Sequence, residues 1–400
     1  MKRELLVGLD IGTTKVCVLV ARVKKEGGFE VIGVGRVPSQ GLSKGMVINI
    51  ERTSQAVKRA MRKAEFDAAL KVRKAWVSIA GNHIQGQDNR GLVKIENEEE
   101  VILDKDVERV LEDASRLVLP PGREIIHVLP QEFLVDGQGE IRDPIGMRGR
   151  RLEAKVHIVT ASSAHRGNIE DSLRRAGYES EGVVLQSLAS GMATLFPEEQ
   201  DLGVVLLDIG GGTTDLAIFL KEGIRFTRVL AVGGNHITND IAVGLRTTRA
   251  NAEKIKLRYG AASMGSFEGE EEIEVEGIAG RGSYKIKREE LVNIIEMRVE
   301  EIFELADREI RKSGYKDLIT AGAVLTGGCS LLKGIKEKAE QKLGLPVRIG
   351  YSRIGQPPQL RSPIYATAVG LILYGIRERE RLTSKDKLGV RIKEWLKDFF

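Results

Sequence analysis

Two apolar patterns alternate along the chain. Short, nearly unbroken runs such as Leu6-Val7-Gly8-Leu9, Val16-Cys17-Val18-Leu19-Val20 and Val204-Val205-Leu206-Leu207 read as strands buried on both faces. Elsewhere apolar residues return every three or four positions, as a helix requires. Val107, Val110, Leu111, Ala114, Leu117 and Val118 predict a helix opened at Leu103-Asp104-Lys105-Asp106, with Asp as N-cap, and stopped by Pro120-Pro121-Gly122. Leu291, Ile294, Ile295, Ile302, Phe303 and Ile310 predict a second helix, about 289–313, ending at Gly314. A third, about 331–343, is closed by Gly344 and Pro346. Strand-like runs at 124–130, 132–135 and 152–160 follow the first helix, and together with it they suit a small α+β unit. The chain as a whole reads as α/β.

One segment occurs twice. Leu9-Asp10-Ile11-Gly12-Thr13-Thr14 and Leu207-Asp208-Ile209-Gly210-Gly211-Gly212-Thr213-Thr214 each follow one buried-type strand and precede another. Strand, glycine-rich turn, strand reads as a hairpin, and its repetition predicts two related halves. Successive main-chain N–H groups in Gly12-Thr13-Thr14 and in Gly211-Gly212-Thr213 suit an anion. The threonine hydroxyls add donors. Asp10 and Asp208, at strand ends, suit a hydrated Mg²⁺. Two such hairpins face to face would grip a nucleotide tail from both sides. A single Asp-x-Gly turn is more simply a structural hairpin; two copies are not. A third turn, Thr326-Gly327-Gly328-Cys329-Ser330, follows a third strand, and its glycines suit close approach of a flat ring or ribose.

Composition narrows the picture. A net charge of +5 over 400 residues is too small for a nucleic-acid-coating surface, and no aromatic-basic ladder is present. Nucleic acid is therefore not an expected partner. Cys17 and Cys329 are too far apart in sequence for a CxxC pair, which fits a reducing compartment. No apolar run reaches the ~18 residues of a membrane span. The strand-like run begins directly after Met1-Lys2-Arg3-Glu4, so no signal peptide is expected. His83, His127, His157, His165 and His236 lack metal-motif spacing. Ser187 and Ser190 have no triad around them. The acidic stretch Glu268, Glu270, Glu271, Glu272, Glu274 and Glu276 reads as a solvated sheet edge before a hairpin turn at Gly280-Arg281-Gly282.

The three turns, in this order, resemble the phosphate and adenosine loops of the actin and heat-shock-chaperone ATPase superfamily. Gly182–Gly191 and Tyr365–Leu371 look like its two hinge segments, and Ala231–Ile241 like its second-lobe glycine motif. Leu42–Asn49, Val77–Gly81, Pro130–Gly137 and Ile141–Met147 extend the resemblance over nearly the whole chain to one family, the FtsA proteins of the bacterial divisome. The resemblance implies an actin-like two-lobed fold of duplicated ribonuclease-H-like domains, with a small inserted subdomain. The predicted division is a first-lobe core at 1–83, completed by 162–191 and 357–376, and an insert at 84–161. A second lobe follows at 192–356, with its outer subdomain at about 228–300.

It also implies ATP with Mg²⁺ between the lobes and weak hydrolysis at most. Gly12, Thr13, Thr14, Lys15, Gly210, Gly211, Gly212, Thr213 and Thr214 would hold phosphates. Asp10 and Asp208 would hold Mg²⁺ through water. Gln186 would position an attacking water. Gly233, Gly234, Asn235, Glu253, Lys256, Gly327, Gly328 and Ser330 would complete the nucleotide site. Implied partners are the C-terminal peptide of the tubulin-like protein FtsZ, further copies of the chain in a filament, and later divisome proteins. The implied location is the cytoplasmic side of the cell membrane at the division site.

After a charged stretch at 377–386, which reads as a short linker or a helix extension, Leu388, Ile392, Trp395, Leu396, Phe399 and Phe400 fall on one helical face of 387–400, opposite Arg391, Lys393, Glu394, Lys397 and Asp398. Aromatic and basic residues so arranged suit a helix lying in an anionic membrane surface. One such tail binds reversibly, and several on a polymer bind firmly. The tail argues against a pilus-assembly protein of the PilM kind. A sugar or acetate kinase would need an acceptor pocket, for which no signature is present. Too few residues remain outside the core for a chaperone's peptide-binding domain.

Overall fold

In the computed structural model, which describes residues 5–24, 28–221, 223–267, 271–278, 282–352 and 360–384, the apolar runs pair into two five-stranded sheets of one design. The first half supplies β1 (Leu5–Ile11), β2 (Lys15–Val23) and β3 (Phe29–Pro38). A small hairpin, β4 (Leu42–Ser43) and β5 (Met46–Val47), leads into helix α1 (Ile50–Ala68) and strand β6 (Lys74–Ile79). The chain then leaves for the insert: β7 (Gln85–Lys94), α2 (Asp104–Ala114), β8 (Arg123–Val135), β9 (Gln138–Ile141) and β10 (Arg151–Ser162). It returns through α3 (Ser163–Ala176) and β11 (Glu179–Leu185), and α4 (Gln186–Thr194) and α5 (Pro197–Leu202) cross to the second half.

There β12 (Val204–Ile209), β13 (Thr214–Leu220) and β14 (Gly223–Leu230) are followed by α6 (Gly234–Gly244) and α7 (Arg249–Tyr259). Next come β15 (Glu272–Val275), β16 (Tyr284–Lys287), α8 (Arg288–Lys312), β17 (Ala323–Thr326), α9 (Ile335–Leu343) and β18 (Val347–Ile349). Helix α10 (Ala366–Ser384) crosses back. The sheet orders are β3-β2-β1-β6-β11 and β14-β13-β12-β17-β18. In each sheet the first three strands are antiparallel and the last two join in parallel. The duplication seen in the turns thus extends to whole sheets.

The insert is a separate unit with its own core, where Val107, Val110 and Ala114 of α2 meet Phe133, Leu152, Val156 and Ile158. Its strand order is β7-β10-β8-β9. It touches both halves. His127 on β8 accepts the Leu185 N–H at 3.0 Å, and its ring meets Tyr374 of α10 edge-on. On the other side His157 hydrogen-bonds Thr227 of β14 at 2.9 Å, and Gln131 donates to the Ile224 carbonyl at 3.3 Å.

Several predicted elements shift. Helix α2 ends at Ala114, with Ser115 at the C-cap and its hydroxyl donating to the Leu111 carbonyl at 2.6 Å. Val118 stands almost fully exposed beyond it. Leu103 takes the N-cap position, and Asp106 accepts its N–H at 3.0 Å. The runs 124–130 and 132–135 form one strand, with a register shift beside Gln131. In α8, Ile294 is only partly buried. The third predicted helix starts at Ile335, because Gly334 at φ +78 separates it from the short turn Gly328–Leu331. Helix α10 runs through the charged stretch from Arg377 to Ser384. In the acidic stretch, Glu272 and Glu274 face solvent opposite Lys287 and Lys285, while Ile273 and Val275 are buried. Glu268, Glu270, the tip of the 280–282 turn and the predicted helix at 387–400 lie outside the described residues. Among the described residues no helix is long and apolar enough to cross a membrane.

Burial lowers the His127 imidazole to about 4. An unfolded histidine titrates near 6.5. The unfolded chain therefore takes up this proton first as pH falls, and stability is lost between about 6.5 and 4. His127→Gln keeps an acceptor for Leu185 and removes the titration. It should lose about 2 kcal/mol less stability than the parent between pH 7 and pH 5 in urea unfolding.

Candidate functional site

The two repeated hairpins have the same register. Asp10 stands opposite Cys17 in the first, and Asp208 opposite Asp215 in the second. Each turn is closed by the same bond: Gly12 N–H to the Lys15 carbonyl and Gly210 N–H to the Thr213 carbonyl, both 2.9 Å. This register aligns Thr13-Thr14 with Gly211-Gly212, and Lys15 with Thr213. The Thr-Thr pairs that look equivalent in sequence are therefore offset by two positions.

The turns meet across a cleft of about 1340 Å³. A Cβ on Gly211 would strike Thr14 Cγ2, and one on Gly212 would strike Thr13 Oγ1. Only glycine permits that approach. The third turn closes on the second: Gly327 has φ +81, and a Cβ there would strike Asp208 Oδ1 and the Ile209 carbonyl. The N–H groups of Thr13, Thr14, Gly211 and Gly212 have no protein acceptor among the described residues. Unspent donors converging on one space make an anion site.

The carboxylates differ in their surroundings. Asp10 is 4% exposed, pairs with Lys15 Nζ at 2.6 Å and accepts the Ser78 hydroxyl at 3.1 Å. Burial pulls the Lys15 ammonium down, yet Asp10, with help from Cys17 and Asp208, holds it above its ordinary value. Asp208 has no such cation bonded to it. Burial and then the Asp10 charge raise its pKa, while Gln186, Ser190 and Lys15 restrain the rise. The Thr367 hydroxyl of α10 reaches its Oδ2 at 3.2 Å. Asp215 is fully buried and held far above the usual carboxylate range, first by burial and then by Asp208. Its Oδ2 accepts the Thr213 hydroxyl at 2.9 Å, and its Oδ1 has no partner.

Most of the sequence-predicted residues come together on this wall. Asp10, Gly12, Thr13, Thr14, Lys15, Gln186, Asp208, Gly210, Gly211, Gly212 and Thr213 line the cleft. So do Gly234, Asn235, Glu253, Lys256, Gly327 and Gly328. Lys256 Nζ holds Glu253 at 2.7 Å, Thr238 at 2.8 Å and the Gly234 carbonyl at 3.1 Å. Gly234 and Asn235 spend their N–H groups on the Gly210 and Gly211 carbonyls at 2.9 and 2.7 Å, so they brace the second turn.

Three predicted residues stand behind the wall. Thr214 donates its hydroxyl to the Val232 carbonyl at 2.9 Å, and Ser330 donates to Gly327 at 2.7 Å. Gly233 backs onto the Gly210 carbonyl. The sequence reading gave no role to Asp215, Ser78, Thr367 or the loop at 39–45. That loop covers the first turn, with Gly45 N–H donating to Thr13 Oγ1 at 3.0 Å. Asp215 was findable, since it completes an Asp-x₆-Asp spacing from Asp208. Ser78 needed the register of β1 with β6. Among the described residues no cluster of three or more His, Cys, Asp or Glu could hold a metal ion.

A family model described as "Cell division protein FtsA" matches residues 205–370, and one described as "SHS2 domain inserted in FTSA" matches 81–160. The cell division protein FtsA of Pseudomonas aeruginosa is 44% identical over 94% of this chain and 90% of its own length. Among solved structures, a chain of a PilM–PilN type IV pilus biogenesis complex superposes with a TM-score of 0.68 at 18% identity, covering 94% of this chain and 99% of that one. MreB 5 of Spiroplasma citri bound to AMPPNP superposes at 0.60 and 16%, covering 96% and 100%. The chain belongs to the FtsA family of cell division proteins and has the actin-like fold.

Gly327→Ala should destabilise the protein by at least about 2 kcal/mol in urea unfolding, through positive φ and the collision with Asp208. Gly328→Ala, where a Cβ meets nothing within 4 Å, should cost less than about 1 kcal/mol.

Proposed function

We propose that this FtsA-family protein binds ATP with Mg²⁺ between its two halves, assembles into filaments and tethers the FtsZ ring to the inner face of the cytoplasmic membrane, where later divisome proteins join. The observation that carries the nucleotide reading is the contact of the two glycine turns, with unspent N–H groups on both sides. The residues fit the ligand. Donors converge where a triphosphate would lie, and Asp208, which has no bonded cation, lines the same cleft.

In this reading Thr13, Thr14, Lys15, Gly211, Gly212 and Thr213 bind the phosphates. Asp10 and Asp208 hold Mg²⁺ through water, and bound Mg²⁺ neutralises charge on the phosphate oxygens. Glu253, Lys256, Gly327 and Gly328 contact the nucleoside. Gln186, at the start of α4 beside Asp208, orients a water for in-line attack. Any turnover then relies on positioning and electrostatics, with no covalent step on the protein. ATP touches both halves, so it favours their closed arrangement and the subunit contacts that depend on it.

The membrane and FtsZ readings rest on family membership and on the amphipathic pattern of 387–400. FtsZ's C-terminal peptide is assigned to the second lobe.

Asp208→Ala combined with Gly211→Val should weaken ATP binding at least a hundredfold in equilibrium titration. An unchanged dissociation constant would reject the site. In co-sedimentation with anionic vesicles, Trp395→Glu with Phe399→Glu should leave most of the protein in the supernatant. Parent-like pelleting would remove the tail from the account.

A further inference from the structure

Helix α1 presents an outer face that the fold does not use. Its inner side is fixed: a Cβ on Gly35 of β3 would strike the Ala60 carbonyl and lie 2.9 Å from the Ala64 amide. Ala56, Val57, Ala60, Met61 and Ala64 are buried there. The opposite face is therefore held in a set direction. Arg59, Arg62, Lys63 and Phe66 recur at three- and four-residue spacing and share it. Phe66 is 89% exposed, and Leu70, just past the helix, is 38% exposed. Among the described residues Arg59, Arg62 and Lys63 have no ion-pair partner. The nearby carboxylates are engaged elsewhere: Glu65 is buried against Lys71, and Asp67 accepts the Val34 N–H at 2.9 Å.

The topology says what lies beyond this face. Strand β6 runs from Lys74 towards the cleft, where Ser78 meets Asp10. The last turn of α1, which feeds β6, is therefore at the far end of the first half. Helix α10 starts at the cleft, where Thr367 meets Asp208, and runs the other way along β6, its Tyr374 ring 5.1 Å from that of Trp76. Its later turns lead the chain out at the same far end, and residues 385–400 follow.

We infer that this corner of the first half is a second membrane contact. Phe66 and Leu70 enter the headgroup boundary of an anionic bilayer, while Arg59, Arg62 and Lys63 meet its phosphates. Exposed apolar side chains flanked by unpaired cations are the composition of an interfacial contact. Each cation near such a surface strengthens binding about fivefold. The reading rests on the proposed membrane role of the terminal segment. With two contacts, the body would lie at a fixed orientation to the bilayer.

The test uses the full chain and vesicles of phosphatidylcholine with about one-third phosphatidylglycerol. Arg62→Glu with Lys63→Glu should lower vesicle affinity at least tenfold at low salt and flatten its salt dependence, with thermal unfolding unchanged. Arg62→Lys with Lys63→Arg should bind as the parent does. Phe66→Ser should weaken binding several-fold at any salt. Affinities within twofold of the parent for both the charge-reversal and Phe66 variants would overturn the inference. So would unchanged vesicle binding with lost polymer pelleting, which would make the face a protein contact. The Trp395→Glu, Phe399→Glu pair measures the terminal segment separately. If that pair binds as the parent while the α1 variants do not, the tail reading falls and the α1 contact stands alone.

Discussion

Everything in this structure is arranged around one contact: two hairpin turns touching where neither has room for another atom. Thr13 and Thr14 from one half press on Gly212 and Gly211 from the other. A methyl group on either glycine would separate the halves there, because the obstructing atoms belong to a turn fixed by its own strand pair. The approach leaves main-chain donors of both turns facing one space. Water satisfies such donors readily, and a polyanion satisfies them together. The duplication of the sheets makes the contact possible, since it delivers the same turn, in the same register, from opposite sides.

The connecting elements converge on the same point. Helix α4 begins at Gln186, against Asp208, and α10 begins with Thr367 bonded to Asp208. These helices carry the chain between the halves, and both begin against that carboxylate. The insert bridges the halves from another direction. It joins the first half through His127 and Leu185, and the second through His157 with Thr227 and Gln131 with Ile224. Surface pairs add to this, Arg142 with Asp201 and Lys221 with Glu140, both 2.5 Å. Exposed pairs of that kind contribute little energy. The insert behaves as a strap between the lobes.

Much of this was legible in the sequence, and what was not had physical causes. The paired turns declared themselves because glycine and threonine at a strand end have a distinctive local chemistry. The third turn was legible for the same reason. The offset of the Thr-Thr pairs was hidden, because only strand register shows that Thr213 corresponds to Lys15. Thr214, Gly233 and Ser330 carry the right chemistry at the right place along the chain, but their hydroxyls or backbone are spent holding the turns. Helix α2 ends before Leu117 and Val118, whose helical spacing continues past it, so apolar periodicity alone does not mark the end. Strand β7 escaped notice because its edge position and polar residues, Gln85 to Arg90, lack the apolar signature of the buried strands.

The two halves have diverged at the positions that set charge. Where the first has Lys15 and Cys17, the second has Thr213 and Asp215. The first half thus carries its own counter-ion: Lys15 sits 2.6 Å from Asp10. The second half stacks Asp215 beside Asp208 on neighbouring strands, with no cation of its own and with one oxygen of Asp215 unpartnered. Both carboxyls there are pushed towards protonation by burial and by neighbouring carboxylate charge. A cation placed beside Asp208 would favour its charged form. A duplicated fold has thereby become directional. One half brings a lysine to the cleft wall and the other a carboxylate with no bonded cation, so the two halves present different charge to the same space.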